Sequence, residues 1–104
     1  HYSPRARVTL LPHGETLTAD AAPESGIALV CNQKPIWHTD QANIFWLSET
    51  GELNEIGHNL FELIQRLDQQ GYQQLWIEQA AEEGLGHAIN DRLRRAAASI
   101  VVVD

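Results

Sequence analysis

The 104-residue chain is 43% hydrophobic and 20% charged, with seven Lys and Arg against fourteen Asp and Glu for a formal net charge of −7. A chain of this size buries roughly two-thirds of its unfolded surface around one core, enough for stability without disulfides or metal. Its acidic balance repels phosphate backbones, which weighs against direct nucleic-acid binding, and no apolar run approaches the roughly 18 residues of a membrane helix.

His1-Tyr2-Ser3-Pro4-Arg5 has no apolar stretch behind it and does not read as a signal peptide. A start without Met is expected of a piece of something longer. Pro4 disfavours helix at Ser3, so His1–Arg5 is expected to be extended and poorly packed on the rest of the chain. Val8–Leu11 is the first strand-like run. Gly14 and Pro23 bracket the next stretch, leaving Thr16–Ala22 room for one or two helical turns. Gly26–Cys31 is the second strand. Cys31 is the sole cysteine, which rules out an internal disulfide and fits a reducing compartment such as the cytoplasm. Its place at the end of an apolar run indicates a buried, inert thiol. His38-Thr39-Asp40 has a spacing two metal ligands could use. The five histidines (His1, His13, His38, His58, His87) are scattered, however, and no HExxH or paired-cysteine pattern accompanies them, so no metal is expected. Asn43–Ser48 is the third strand.

From Leu53 to Gln70 the apolar positions Leu53, Ile56, Leu60, Leu63, Ile64 and Leu67 form the stripe of one buried helix face, with Gly71 placed to end it. Gln74–Gln79 is the fourth strand. From Gly84 to Ala98 a second helix carries the stripe Leu85, Ala88, Ile89, Leu93 and Ala96, with Arg94 and Arg95 complementing its dipole. The β-branched run Ile100-Val101-Val102-Val103 places a fifth strand at Ser99–Val103. Strand, helix, strand, helix, strand from Asn43 onward implies parallel strands with right-handed crossovers. The expectation is an α/β domain, a small Rossmann-like, mostly parallel five-stranded sheet with two main helices.

Few motifs carry chemistry. No G-x-S-x-G elbow marks a nucleophile, and the carboxylates are mostly explained by solvated helix faces and turns. Gly84-Leu85-Gly86 follows a strand and opens a helix, a place where phosphates often bind. A tight strand-to-helix turn also favours glycine, and Glu78, Glu82 and Glu83 would oppose an anion there. Arg92 projects at the angle of Leu85 and Ala88, inside the apolar stripe, and Asp68 lies at the edge of its own helix's stripe. An internal Arg92–Asp68 pair between the two helices is the expectation; snorkelling to solvent or contact with another domain is the alternative.

The segment Gly84–Ala97, GLGHAINDRLRRAA, resembles the signature helix of the C-terminal domain of long-form L-threonylcarbamoyladenylate synthases. Leu60–Asp68, LFELIQRLD, resembles that domain's earlier helix with its terminal leucine-aspartate pair. His1–Arg5 is similar to the HYAPR-like stretch where the interdomain linker enters this domain, with Ser3 in place of the usual alanine. The three stretches occur in the family's order and span the whole chain. The first crossover departs from the family, which usually has a fuller helix than Gly14–Ser25 supplies.

The resemblance implies that residues 1–7 end an interdomain linker and residues 8–104 form a C-terminal accessory domain. It implies a partner in the same polypeptide, an N-terminal YrdC-like catalytic domain. That domain, using ATP with Mg, joins threonine and bicarbonate into L-threonylcarbamoyl-adenylate for the threonylcarbamoyladenosine modification of tRNA. No cofactor is implied for the present chain, nor any catalytic residue. His1, Tyr2 and Pro4 become expected linker contacts to the catalytic domain. Two other readings stand beside this one: a nucleotide-binding or hydrolysing module at the Gly84–Gly86 turn, and a protein-interaction domain.

Overall fold

A computed structural model describes residues 5–18, 23–37 and 41–101. The elements run β1 (Arg7–Leu11), α1 (Glu15–Thr18), β2 (Ile27–Gln33), β3 (Ile44–Ser48), α2 (Leu53–Gln69), β4 (Gln74–Glu78) and α3 (Leu85–Val101). The four strands form one sheet in the order β1-β4-β2-β3. All three pairings are parallel, with Arg7 opposite Gln74, Ile27 opposite the same Gln74, and Leu29 opposite Ile44.

Alternation along the strands divides the sheet into two faces. Val8, Ala28, Val30, Leu47, Leu75 and Ile77 point to one side, where they pack with Ile56, Leu60, Leu63, Ile64 and Leu67 of α2 and Ile89 and Leu93 of α3. Leu29, Cys31 and Ile44 point to the other, against Leu11, Trp37, Trp46 and Trp76. Trp37 belongs to the β2–β3 connection and its indole N–H donates to the Thr16 carbonyl in α1 at 2.7 Å. The two long helices thus cover one face and the short connections reach the other. Right-handed crossovers put α2 opposite the earlier connections when the chain moves outward from β1 to β2 to β3 and then returns to β4, and α3, which follows β4, packs beside α2.

Local chemistry explains the helix boundaries. The Ser48 hydroxyl oxygen accepts from the N–H groups of Gly51 and Glu52, each at 3.0 Å, and the Glu52 carboxylate caps α2 by accepting from Glu55 N–H at 3.0 Å. Gly71 has φ of 91° just beyond the C-cap, the left-handed conformation that ends α2 as the sequence pattern anticipated.

One expectation needs correction. The fifth strand does not form over its described part, because α3 continues as helix through Ser99, Ile100 and Val101. Nothing between Leu93 and Val101 breaks a helix, and the three alanines at 96–98 favour continuing it. In the sheet β2 lies between β3 and β4, and both sides of β4 are occupied. With only the 15 residues from 12 to 26 available, the first connection leads from β1 past β4 to β2.

Candidate functional site

Two buried carboxylates organise opposite ends of the sheet. Glu78 closes β4 at the carboxyl ends of the strands and is 4% exposed. Its Oε1 accepts from the Thr16 hydroxyl and from Asn32 N–H, each at 2.8 Å, and its Oε2 accepts from Gly14 N–H at 2.5 Å. His13 Nδ1 is 3.7 Å from the same Oε2. One side chain therefore ties the segment after β1 and the end of β2 to β4. Three donors already occupy this carboxylate, so its geometry is that of a structural tie rather than a free acid or base. Around it a cavity of about 150 Å³ is lined by His13, Gly14, Asn32, Gln33, Gly51 and Glu78. Asn32 Nδ2 donates to the Gln79 carbonyl at 2.7 Å, while its buried Oδ1 has no hydrogen-bond partner among the described residues.

Asp68 works at the other end. It is 8% exposed in the last turn of α2. Arg5 N–H reaches its two carboxylate oxygens at 3.1 and 3.2 Å, and Ala6 N–H reaches Oδ1 at 2.9 Å. The sequence marks Asp68 as oddly placed for a solvated charge, and it is buried. Its described partners are backbone groups, however, not Arg92. The anticipated Arg92–Asp68 pair does not form. Arg92 is exposed and its guanidinium lies 4.0 Å from the Phe61 ring centroid. The error lies in the angle assigned to α3. Its buried side is Gly86, Ile89, Asn90 and Leu93, while Leu85, Ala88 and Arg92 border an open groove against α2. A polar Asn in the core displaced the centre of the apolar stripe by about one residue.

That asparagine organises the Gly84–Gly86 turn. Asn90 is fully buried, and its amide brackets Ala80, accepting from its N–H and donating to its carbonyl at 2.8 Å each. Asn90 Nδ2 also donates to Glu82, which Arg94 reaches at 2.8 Å. The Asn90 amide, with His87 and Arg94 beside it, holds the Glu82 carboxyl below its usual pKa. Gly86 N–H donates to the Glu83 carbonyl at 2.9 Å and His87 N–H to the Gly84 carbonyl at 3.1 Å. Two N–H groups that could cradle a phosphate are spent inside the turn. A Cβ on Gly86 would come 1.8 Å from the Ala81 carbonyl oxygen, so close backbone approach explains this glycine. Glu78, expected to face this turn, is committed to Gly14, Thr16 and Asn32 instead.

Cys31 is buried, and desolvation raises its thiol pKa from 9.0 to about 11, in keeping with an inert side chain. Among the described residues no group of three or more His, Cys, Asp or Glu side chains is arranged to hold a metal ion. His1, Tyr2, Pro4 and the His38-Thr39-Asp40 stretch lie outside the described residues. Sequence pattern alone missed Asn32 and Asn90 and placed Glu78 at the wrong turn. Periodicity counts apolar positions, so a polar residue bonded to buried backbone leaves only an interruption as its signal.

These features define a small parallel α/β domain whose buried polar side chains chiefly hold backbone together. The chain belongs to the threonylcarbamoyl-AMP synthase C-terminal domain family, whose description, "Threonylcarbamoyl-AMP synthase, C-terminal domain", matches residues 1–98. It is similar to the threonylcarbamoyl-AMP synthase of Pyrococcus abyssi (strain GE5 / Orsay), with 39% identity over 57 residues, covering 55% of this chain and 16% of the relative. The chain therefore corresponds to a minor part of that relative's length. No solved structure matches the chain at a significant level.

Proposed function

We propose that this chain is a non-catalytic accessory domain of an enzyme that makes L-threonylcarbamoyl-adenylate from threonine, bicarbonate and ATP for tRNA threonylcarbamoyladenosine modification. The observation that carries the proposal is the employment of the buried polar groups. Asp68, Glu78 and Asn90 hold backbone at Arg5–Ala6, at Gly14 and Asn32, and at Ala80. Groups committed in this way build a scaffold, and a scaffold positions a neighbouring unit rather than transforming a substrate. In this reading the partner is a YrdC-like catalytic domain of the same polypeptide, which binds ATP with Mg in the cytoplasm. Residues 1–7 end the linker, with His1, Tyr2 and Pro4 facing the catalytic domain. Arg92, exposed at the mouth of the α2–α3 groove, serves contact between the domains.

The test compares three proteins in one assay of adenylate formation: the two-domain protein, its catalytic part alone, and this chain alone. The expected result is activity in the first, a changed rate in the second and none in the third. Formation of the adenylate by this chain, free of contaminating enzyme, would overturn the proposal. A tRNA titration of the same chain at physiological salt should give no complex, in keeping with the net charge of −7.

A further inference from the structure

We propose that Asp68 is a positioning residue that sets the direction in which the polypeptide enters this domain, and thereby the placement of the catalytic unit upstream; the second half rests on the function proposed above. The inference begins with two successive N–H groups converging on one carboxylate. Arg5 N–H lies 3.1 and 3.2 Å from the two oxygens, and Ala6 N–H lies 2.9 Å from Oδ1. Successive N–H groups of an extended strand point to opposite sides, so both can meet one anion only where the chain bends. The bend falls immediately before β1, whose Arg7 N–H donates to the Gln73 carbonyl at 3.0 Å. Asp68 thus holds the chain just upstream of the sheet ladder.

The location of the carboxylate argues that this hold is its purpose. It occupies the last turn of α2, where the negative end of the helix dipole disfavours an anion, and it is 8% exposed. Packing of α2 on the sheet would be served as well by an apolar side chain. Charge-assisted hydrogen bonds to Arg5 and Ala6 offset the unfavourable placement. Ala6, itself 5% exposed, is packed into the core. A polar anchor and an apolar one thus fix the backbone at Arg5 and Ala6. Loss of the carboxylate is expected to release the N–H groups of Arg5 and Ala6 while the Ala6 side chain stays in the core and the β1 ladder from Arg7 to Leu11 stays paired with β4.

The experiment uses the full two-domain protein carrying spin labels on two introduced cysteines, one replacing the exposed Gln65 on α2 and one on the upstream domain. Buried Cys31 is not expected to be labelled. Asp68→Asn is nearly isosteric, and Arg5→Pro deletes the Arg5 donor while keeping Asp68. In both variants the interlabel distance distribution should widen at least about twofold, because Asp68→Asn removes the charge and one of the two accepting oxygens, and Arg5→Pro removes both bonds of the Arg5 N–H. Unchanged widths in both would overturn the proposal, and Arg5→Pro decides if Asp68→Asn fails to fold. Adenylate formation on the same samples should fall about tenfold in kcat/KM. If the unmutated protein makes no adenylate, the proposed function fails while the widths still decide the role of Asp68 in directing the chain. Widened distributions with unaltered kcat/KM would overturn its role in placing the catalytic unit.

Discussion

The side-chain amide of Asn90 grips both backbone groups of Ala80, accepting from its N–H and donating to its carbonyl at 2.8 Å each. Ala80 follows β4, so this one asparagine fixes α3 to the carboxyl end of the sheet. Ala80 is itself buried.

Asn90→Ala should therefore destabilise the fold by about 2–6 kcal/mol, since two buried backbone groups lose their partners at roughly 1–3 kcal/mol each. Urea denaturation of the variant against the parent chain checks this. A loss below about 1 kcal/mol would mean that other groups take over both bonds.

The glycines of the Gly84–Gly86 turn should respond unequally to alanine. Gly86→Ala brings a Cβ to 1.8 Å from the Ala81 carbonyl and should cost about 3 kcal/mol, the upper end of usual overpacking penalties. Gly84 has φ of 55° with open space around it, so Gly84→Ala should cost only about 1 kcal/mol of backbone strain. Thermal unfolding of the two variants side by side checks the order; equal losses would contradict close backbone approach as the reason for Gly86.

Cys31 supplies a pH dependence with a definite sign. Its thiol pKa is raised in the folded state to about 11 from 9.0. The folded chain therefore binds more protons than the unfolded chain between these values, and stability falls as pH rises through them. Below pH 9 the contribution is fully retained; above pH 11 the loss levels off at roughly 2–3 kcal/mol, by about 1.4 kcal/mol per unit. Comparing the pH dependence of urea midpoints for the parent and Cys31→Ala isolates the effect, and identical profiles would refute it.

Arg92 and Asp68 should behave independently. Arg92→Ala removes an exposed cation–π contact with Phe61 and should cost no more than about 1 kcal/mol. A double-mutant cycle of Arg92→Ala with Asp68→Asn should show coupling within about 0.5 kcal/mol. Coupling of 2 kcal/mol or more, on the scale of about 3–5 kcal/mol for breaking a buried pair, would restore the internal ion pair that the geometry rejects.

Local pattern was enough for much of the architecture. Alternation and β-branching located β1 to β4, and the apolar stripe from Leu53 to Leu67 with Gly71 behind it located α2 and its end. Those signals are short-range consequences of burying one face of an element, so they are written in neighbouring residues. The three family-like stretches likewise pointed to the domain family that residues 1–98 match. Strand order was not legible, because parallel pairing joins residues far apart in the chain, and only the closed sheet decided that β4 inserts between β1 and β2. The end of α3 eluded the pattern for a different reason: Ile100 and Val101 prefer strand, yet they continue a helix that nothing upstream interrupts. Local signals flagged Asp68 as misplaced on its helix. Which atoms it holds, Arg5 and Ala6 sixty-odd residues earlier rather than Arg92, was decided by tertiary packing, because a buried carboxylate bonds to whichever N–H groups the folded backbone brings within reach.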